Sequence, residues 1–104
     1  MHKSETEYLI LKKFEDNPHL TQRELSKELG VSLGKTNYII NALIDKGWLK
    51  LKNFKRSDKK LGYSYLLTTQ GITEKAILAQ KFLKKKSDEY NRLKEEIENL
   101  RNEL

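Results

Sequence analysis

Five residues within one ten-residue stretch, Ser32, Lys35, Asn37, Tyr38 and Asn41, could recognise hydrogen-bonding edges displayed on a polyanion. Lysine can reach a phosphate or a guanine edge, and asparagine can pair with an adenine edge. Tyrosine can contact a base or a phosphate. A serine that starts a helix leaves the N–H groups of that first turn free to hold an anion. These residues alternate with Thr36, Ile40, Leu43 and Ile44, spaced i, i+4, i+7, i+8 as in a helix with one buried stripe. The helix is expected from about Leu33 to Lys46, with Ser32 as its cap and the polar set facing outward.

Covalent and metal chemistry find no such support. Cysteine is absent from the 104 residues, which excludes disulfides, thiolate metal sites and a thiol nucleophile. His2 and His19 stand alone, so no metal site is expected. There is no glycine-rich phosphate loop, and the nearest thing to an acid cluster, Glu95, Glu96 and Glu98, fits the surface of a helix. No enzyme activity and no cofactor are expected. No apolar run approaches the ~18 residues of a membrane span, and the Lys3/Glu5/Glu7 start is not a signal peptide. A cytoplasmic protein with no membrane partner is the expectation.

The elements that position the five residues are legible from caps and periods. A first helix is expected from about Ser4 to Asp16, with Ser4 and Glu7 as a capping box and Ile10, Leu11 and Phe14 on its apolar face. Asn17-Pro18 stops it. Thr21 with Glu24 forms a second capping box for a short helix, about Gln22 to Leu29, ended by Gly30. After the third helix the period changes to two. Trp48–Phe54 and Tyr63–Leu67 read as strands of an antiparallel hairpin. Its tip carries Lys55, Arg56, Lys59 and Lys60, placed to meet a nucleic-acid backbone or an adjacent minor groove. Thr68 or Thr69 then caps a last helix that can run to Leu104.

That helix has a heptad seam. Ala76, Leu83, Tyr90, Ile97 and Leu104 occupy a, and Ile72, Ala79, Lys86, Leu93 and Leu100 occupy d. The proximal members Ile72, Ala76 and Ala79 are expected to pack on the chain's own domain. The distal ones cannot, because about 33 helical residues span roughly 50 Å. Leu83, Tyr90, Leu93, Ile97, Leu100 and Leu104 are therefore expected to form a homodimer interface. In a parallel pair Glu89 meets Lys94 and Glu96 meets Arg101 across the interface, whereas an antiparallel pair sets glutamate against glutamate, so parallel pairing is expected.

The charge is local. The formal net charge is +6, yet residues 1–47 hold seven basic and seven acidic side chains. Residues 48–88 hold eleven basic against three acidic, and residues 89–104 three against five. A basic stretch of this kind favours a polyanion through phosphate neutralisation and counterion release.

The fold class that results is mainly α with a small β-hairpin. Residues 1–71 form a winged helix–turn–helix domain and residues 72–104 a dimerisation helix. The run Thr21-Gln22-Arg23-Glu24-Leu25-Ser26-Lys27-Glu28-Leu29-Gly30-Val31-Ser32, followed by Asn41-Ala42-Leu43-Ile44-Asp45-Lys46-Gly47-Trp48-Leu49, resembles the core of MarR-type winged-helix transcription regulators. With Gly30–Tyr38, Lys46-Gly47-Trp48, Asn53-Phe54, Gly62–Thr68 and Gly71–Ala76, it is similar to their small branch associated with exopolysaccharide gene clusters. The resemblance implies a dimeric, sequence-specific regulator of double-stranded DNA, with Ser32, Lys35, Asn37, Tyr38 and Asn41 on the reading helix. Typical members build an effector pocket between a two-ended dimerisation lobe and the DNA-binding domain. This chain has few residues before its first helix and one helix after the wing, which argues against a small-molecule effector site of that kind. The competing readings are a winged-helix protein-interaction module and a non-specific DNA-binding protein with a coiled-coil partner.

Overall fold

A computed structural model describes residues 3–55 and 61–104. The element order is α1 (Lys3–Asp16), α2 (Gln22–Leu29), α3 (Leu33–Asp45), β1 (Leu49–Lys55), β2 (Leu61–Leu67) and α4 (Thr69–Asn102). The strands pair antiparallel, with Leu49 opposite Leu67 and Lys55 opposite Leu61. The expected class, helical with one hairpin and a long last helix, is the observed one.

The core lies where α1, α2, α3 and the root of the hairpin meet. Ile10, Leu11, Phe14, Leu25, Ile40 and Leu43 are fully buried there, with Leu49 from β1 and Tyr65 from β2. The Phe14 and Tyr65 rings lie 4.8 Å apart, a spacing at which aromatic pairs add to simple burial. The hairpin leaves this core as it extends. Leu51 and Tyr63, further out, are about half exposed. β1 keeps the expected length but is shifted by one residue, so Lys55, expected in the tip, is instead its last residue, and β2 begins two residues earlier than the alternation suggests. Arg56, Lys59 and Lys60 lie outside the described residues.

Helix α1 begins a residue before Ser4, and Glu7 has a different task from capping. Its carboxylate is buried and accepts a hydrogen bond of 2.9 Å from Lys46 Nζ, just past the end of α3. The same ammonium sits 4.6 Å from the centre of the Trp48 ring. Lys46→Ala leaves a buried carboxylate without its cation, so a loss of about 1.5–3 kcal/mol is expected, the usual worth of a hydrogen bond to a charged group. Urea denaturation at pH 7 measures it. An unchanged midpoint contradicts this role for Lys46.

Helix α4 lies antiparallel on α1. Lys75 pairs with Glu15 and Lys85 with Glu5, each at 2.7 Å, and Tyr8 stacks on Phe82 between them at 5.7 Å. The hydrogen bonds that these ammonium groups donate to the two glutamates hold both above the ordinary lysine value. The face turned to the domain therefore includes Gly71, Lys75, Leu78, Phe82 and Lys85.

This corrects the expectation for Ile72, Ala76 and Ala79. Ile72 is 55% exposed, Ala76 is exposed, and Ala79 is only partly covered. The docking face precedes the heptad seam by one residue, about 100° around the helix. The domain thus leaves most of the seam open. Leu83, Tyr90, Leu93, Ile97, Leu100 and Leu104 are all exposed in the single chain. The helix is continuous through Lys86, whose ammonium lies 3.3 Å from Glu89. Among the described residues no helix is long and apolar enough to cross a membrane.

Candidate nucleic-acid interface

Local signals set α3 in place. Thr21 caps α2 with both halves of a capping box, its side chain accepting from Glu24 N and the Glu24 carboxylate accepting from Thr21 N. The Thr21 side chain first, and then its backbone N–H, hold the Glu24 carboxyl below the ordinary glutamate value. That contribution is complete above the usual carboxylate range and is lost as pH falls through the lowered value. Gly30 ends α2 with φ +68°, the left-handed conformation glycine adopts without a Cβ penalty. Ser32 caps α3, its Oγ accepting from Lys35 N at 3.1 Å.

Within α3 the two faces separate as the period requires. Thr36, Ile39, Ile40 and Leu43 are buried, and Ile44 is half-buried. Ile39 joins the expected stripe. Thr36 turns its hydroxyl back to Ser32 O at 2.9 Å, so no buried polar group is left unpaired by it. Ser32, Lys35, Asn37, Tyr38 and Asn41 are all exposed, and Tyr38 is 72% exposed. The structure thus brings the five predicted residues onto one solvent-facing surface. The Ser32 oxygen is engaged in capping, which leaves the hydroxyl hydrogen and the first-turn N–H groups as its offer to a phosphate.

Two of the five are already joined. Asn41 Nδ2 donates to Asn37 Oδ1 at 3.2 Å, and Asn37 Nδ2 donates to Gln22 Oε1 at 3.0 Å. Gln22 Nε2 in turn donates to the Tyr65 hydroxyl at 2.9 Å. Gln22 and Tyr65 were not legible as members of this surface, because they lie 43 residues apart in the chain and on different elements. His19 has a comparable place. Its Nδ1 is 2.9 Å from Ser64 Oγ and its ring packs edge-on to Phe54, while Tyr65 N donates to Pro18 O. The α1–α2 connection therefore braces the hairpin.

The basic field is smaller than its sequence count suggests. Lys75, Lys84, Lys85 and Lys86 each have a carboxylate partner within the chain. Lys35 and the strand residues Lys50 and Lys52 are exposed, and no ion pair involves them among the described residues.

The profile of a family described as winged helix-turn-helix DNA-binding matches residues 3–50. No curated protein sequence matches the chain. Among solved structures, a MarR/EmrR family transcriptional regulator from Acinetobacter sp. ADP1 is similar at 18% identity and a TM-score of 0.62, over 94% of this chain and 73% of that one. The adhesin competence repressor AdcR of Streptococcus pyogenes is similar at 24% identity and 0.61, over 85% of this chain and 63% of that one. A mutant E. coli MarR, solved with operator DNA, is similar at 27% identity and 0.54, over 71% and 51%. The chain therefore spans about half to three-quarters of the length of these three structures. The profile over residues 3–50 and the three structures agree on the architecture: the chain has the winged helix–turn–helix fold of the MarR-type regulators.

Proposed function

We propose that this chain is a homodimeric transcription regulator that binds double-stranded DNA at a palindromic site. The observation that carries the reading is the single exposed face of α3 bearing Lys35, Asn37, Tyr38 and Asn41, on a helix whose opposite face is locked into the core. The major groove admits such a helix, and these side chains match its donor and acceptor code. The operator complex of the similar E. coli protein supports the same use of the fold. Ser32 and the first turn of α3 hold a phosphate, and Lys55, Arg56, Lys59 and Lys60 of the wing meet the flanking backbone. The first half of α4 braces the DNA-binding unit. Its second half forms the dimer through Leu83, Tyr90, Leu93, Ile97, Leu100 and Leu104. The resemblance to exopolysaccharide-cluster regulators favours a target at a polysaccharide-biosynthesis locus.

Site selection from a random duplex pool tests the reading. A two-fold symmetric motif is expected, with half-sites about ten base pairs apart, and with affinity that falls steeply as salt rises. Lys35→Ala and Asn37→Ala are each expected to weaken binding to the selected site by about tenfold or more, the worth of one good base contact. Retained binding in both, or no enriched motif for the unaltered protein, contradicts sequence-specific recognition by this face.

The direction of the coil has its own test, helped by the absence of native cysteine. Leu100→Cys places one thiol at a d position. In a parallel pair the two copies of that residue face each other, and mild oxidation is expected to give a covalent dimer. In an antiparallel pair they lie far apart, and a monomeric band on a non-reducing gel overturns the parallel arrangement.

A further inference from the structure

We propose that Gln22 and Tyr65 are positioning residues that set the base preference of α3, by holding Asn41 as an acceptor for bases that display an exocyclic amino group in the major groove. The inference rests on the DNA-reading role proposed above for α3.

The three amides form a chain with one polarity. The Tyr65 hydroxyl accepts from Gln22 Nε2, which leaves Gln22 Oε1 toward α3. Asn37 answers with Nδ2 and so offers Oδ1 to its neighbour one turn on. Asn41 answers with its own Nδ2. Among the described residues no group donates to Asn41 Oδ1, and that oxygen is what the end of the chain leaves for a ligand. In the major groove an acceptor pairs with adenine N6–H₂ or cytosine N4–H₂. It is repelled by guanine O6 and thymine O4. The prediction is therefore a preference for adenine or cytosine over guanine or thymine at the base under Asn41.

The far end of the chain is firmly held. Tyr65 is 9% exposed, its ring packs tilted against buried Phe14, and its backbone N–H donates to Pro18 O. Gln22 is the first residue of α2, whose start the Thr21–Glu24 capping box fixes. An exposed asparagine on its own samples several rotamers and both amide orientations. Tied through Gln22 to a core tyrosine, the Asn37–Asn41 pair is ordered before DNA arrives, so less entropy is lost on binding.

The test uses the full chain. Site selection with Asn41→Ala first identifies the base pair whose preference depends on Asn41. Competition binding then measures the ratio between duplexes carrying adenine or cytosine there and duplexes carrying guanine or thymine. Tyr65→Phe keeps the ring against Phe14 and removes the anchor, and it is expected to lower that ratio about tenfold. Gln22→Ala is expected to do the same. Gln22→Glu keeps an acceptor toward Asn37, with the Tyr65 hydroxyl now donating, and is expected to preserve the ratio even if its charge lowers affinity for every duplex. For the two damaging variants, affinity for an unrelated duplex and the salt slope stay unchanged. An undiminished ratio in Tyr65→Phe and Gln22→Ala overturns the proposal, as does an equal loss on all duplexes. A wild-type protein that selects no motif overturns the regulator reading and this proposal together. A wild-type motif that both variants select as sharply overturns this proposal alone.

Discussion

Removal of residues 89–104 is expected to convert the protein into a monomer and to weaken binding to the two-fold site by about 10²–10⁴, the range by which linking two binding modules raises avidity. The truncated chain keeps the Lys75–Glu15, Tyr8–Phe82 and Lys85–Glu5 contacts between α4 and α1. The DNA-binding unit should therefore remain folded and bind a half-site as the full chain's monomer would. Tyr90, Leu93, Ile97 and Leu100 are 42–65% exposed in the single chain and Leu104 is fully so, an apolar seam without a partner on its own domain. Light scattering gives the mass and fluorescence anisotropy the affinity. A truncated protein that is still dimeric would place the interface elsewhere. The double variant Leu93→Asp/Ile97→Asp should reproduce the result with the helix intact.

Gly71→Ala is expected to cost about 2–3 kcal/mol, despite the better helix propensity of alanine. A Cβ at this position would lie 2.0 Å from Trp48 O and 2.9 Å from Trp48 C. Those are backbone atoms, which cannot rotate aside. The first turn of α4 would have to back away from the turn that joins α3 to β1. That turn is tied to α4 by two bonds, from Thr68 N to Trp48 O and from the Thr68 hydroxyl to Gly47 O. Overpacking costs about 1–3 kcal/mol and occasionally more; a 2.0 Å approach to fixed backbone stands at or above the upper end, about 3–4 kcal/mol, from which roughly 1 kcal/mol gained in propensity is subtracted. For a domain of this size the melting temperature should fall by about 10–20 °C. Gly34→Ala is the control. Nothing lies within 4 Å of a Cβ there, so it should be neutral or slightly stabilising. Equal melting temperatures for the two variants would show that the close approach at Gly71 relaxes freely. Because the same joint sets the angle between α3 and α4, Gly71→Ala should also disturb the spacing of the paired half-sites.

Much of the candidate surface could be read from neighbouring residues. A capping box needs a residue and its third successor, and Thr21 with Glu24 forms one as the spacing predicts. Ser32 and Gly30 mark helix ends for reasons internal to one turn of backbone. The 3.6-residue period separates Ser32, Lys35, Asn37, Tyr38 and Asn41 from the buried stripe, so their exposure follows from local order. The heptad seam is legible in the same way, and so is the change to period two at the hairpin. Ser4 and Glu7 carried the same local pattern as Thr21 and Glu24, yet Glu7 was taken by Lys46, a partner 39 residues away.

Local sequence by itself determined both ends of α2 and the starts of α3 and α4, which face of α3 meets solvent, and that the distal part of α4 cannot be satisfied within one small domain. These follow from caps, periods and length, which act over a few residues. Only the tertiary structure decided which face of α4 docks on α1, because Lys75, Leu78, Phe82 and Lys85 keep helical spacing but are a mixed polar and apolar set, with no apolar stripe to mark them. The choice depends on Glu15, Tyr8 and Glu5 being arrayed opposite them. The tight seat of Gly71, the His19–Ser64 brace and the chain from Tyr65 through Gln22 to Asn41 arise in the same way. Each joins groups that no local period brings together, and only packing around the shared core places them within bonding distance.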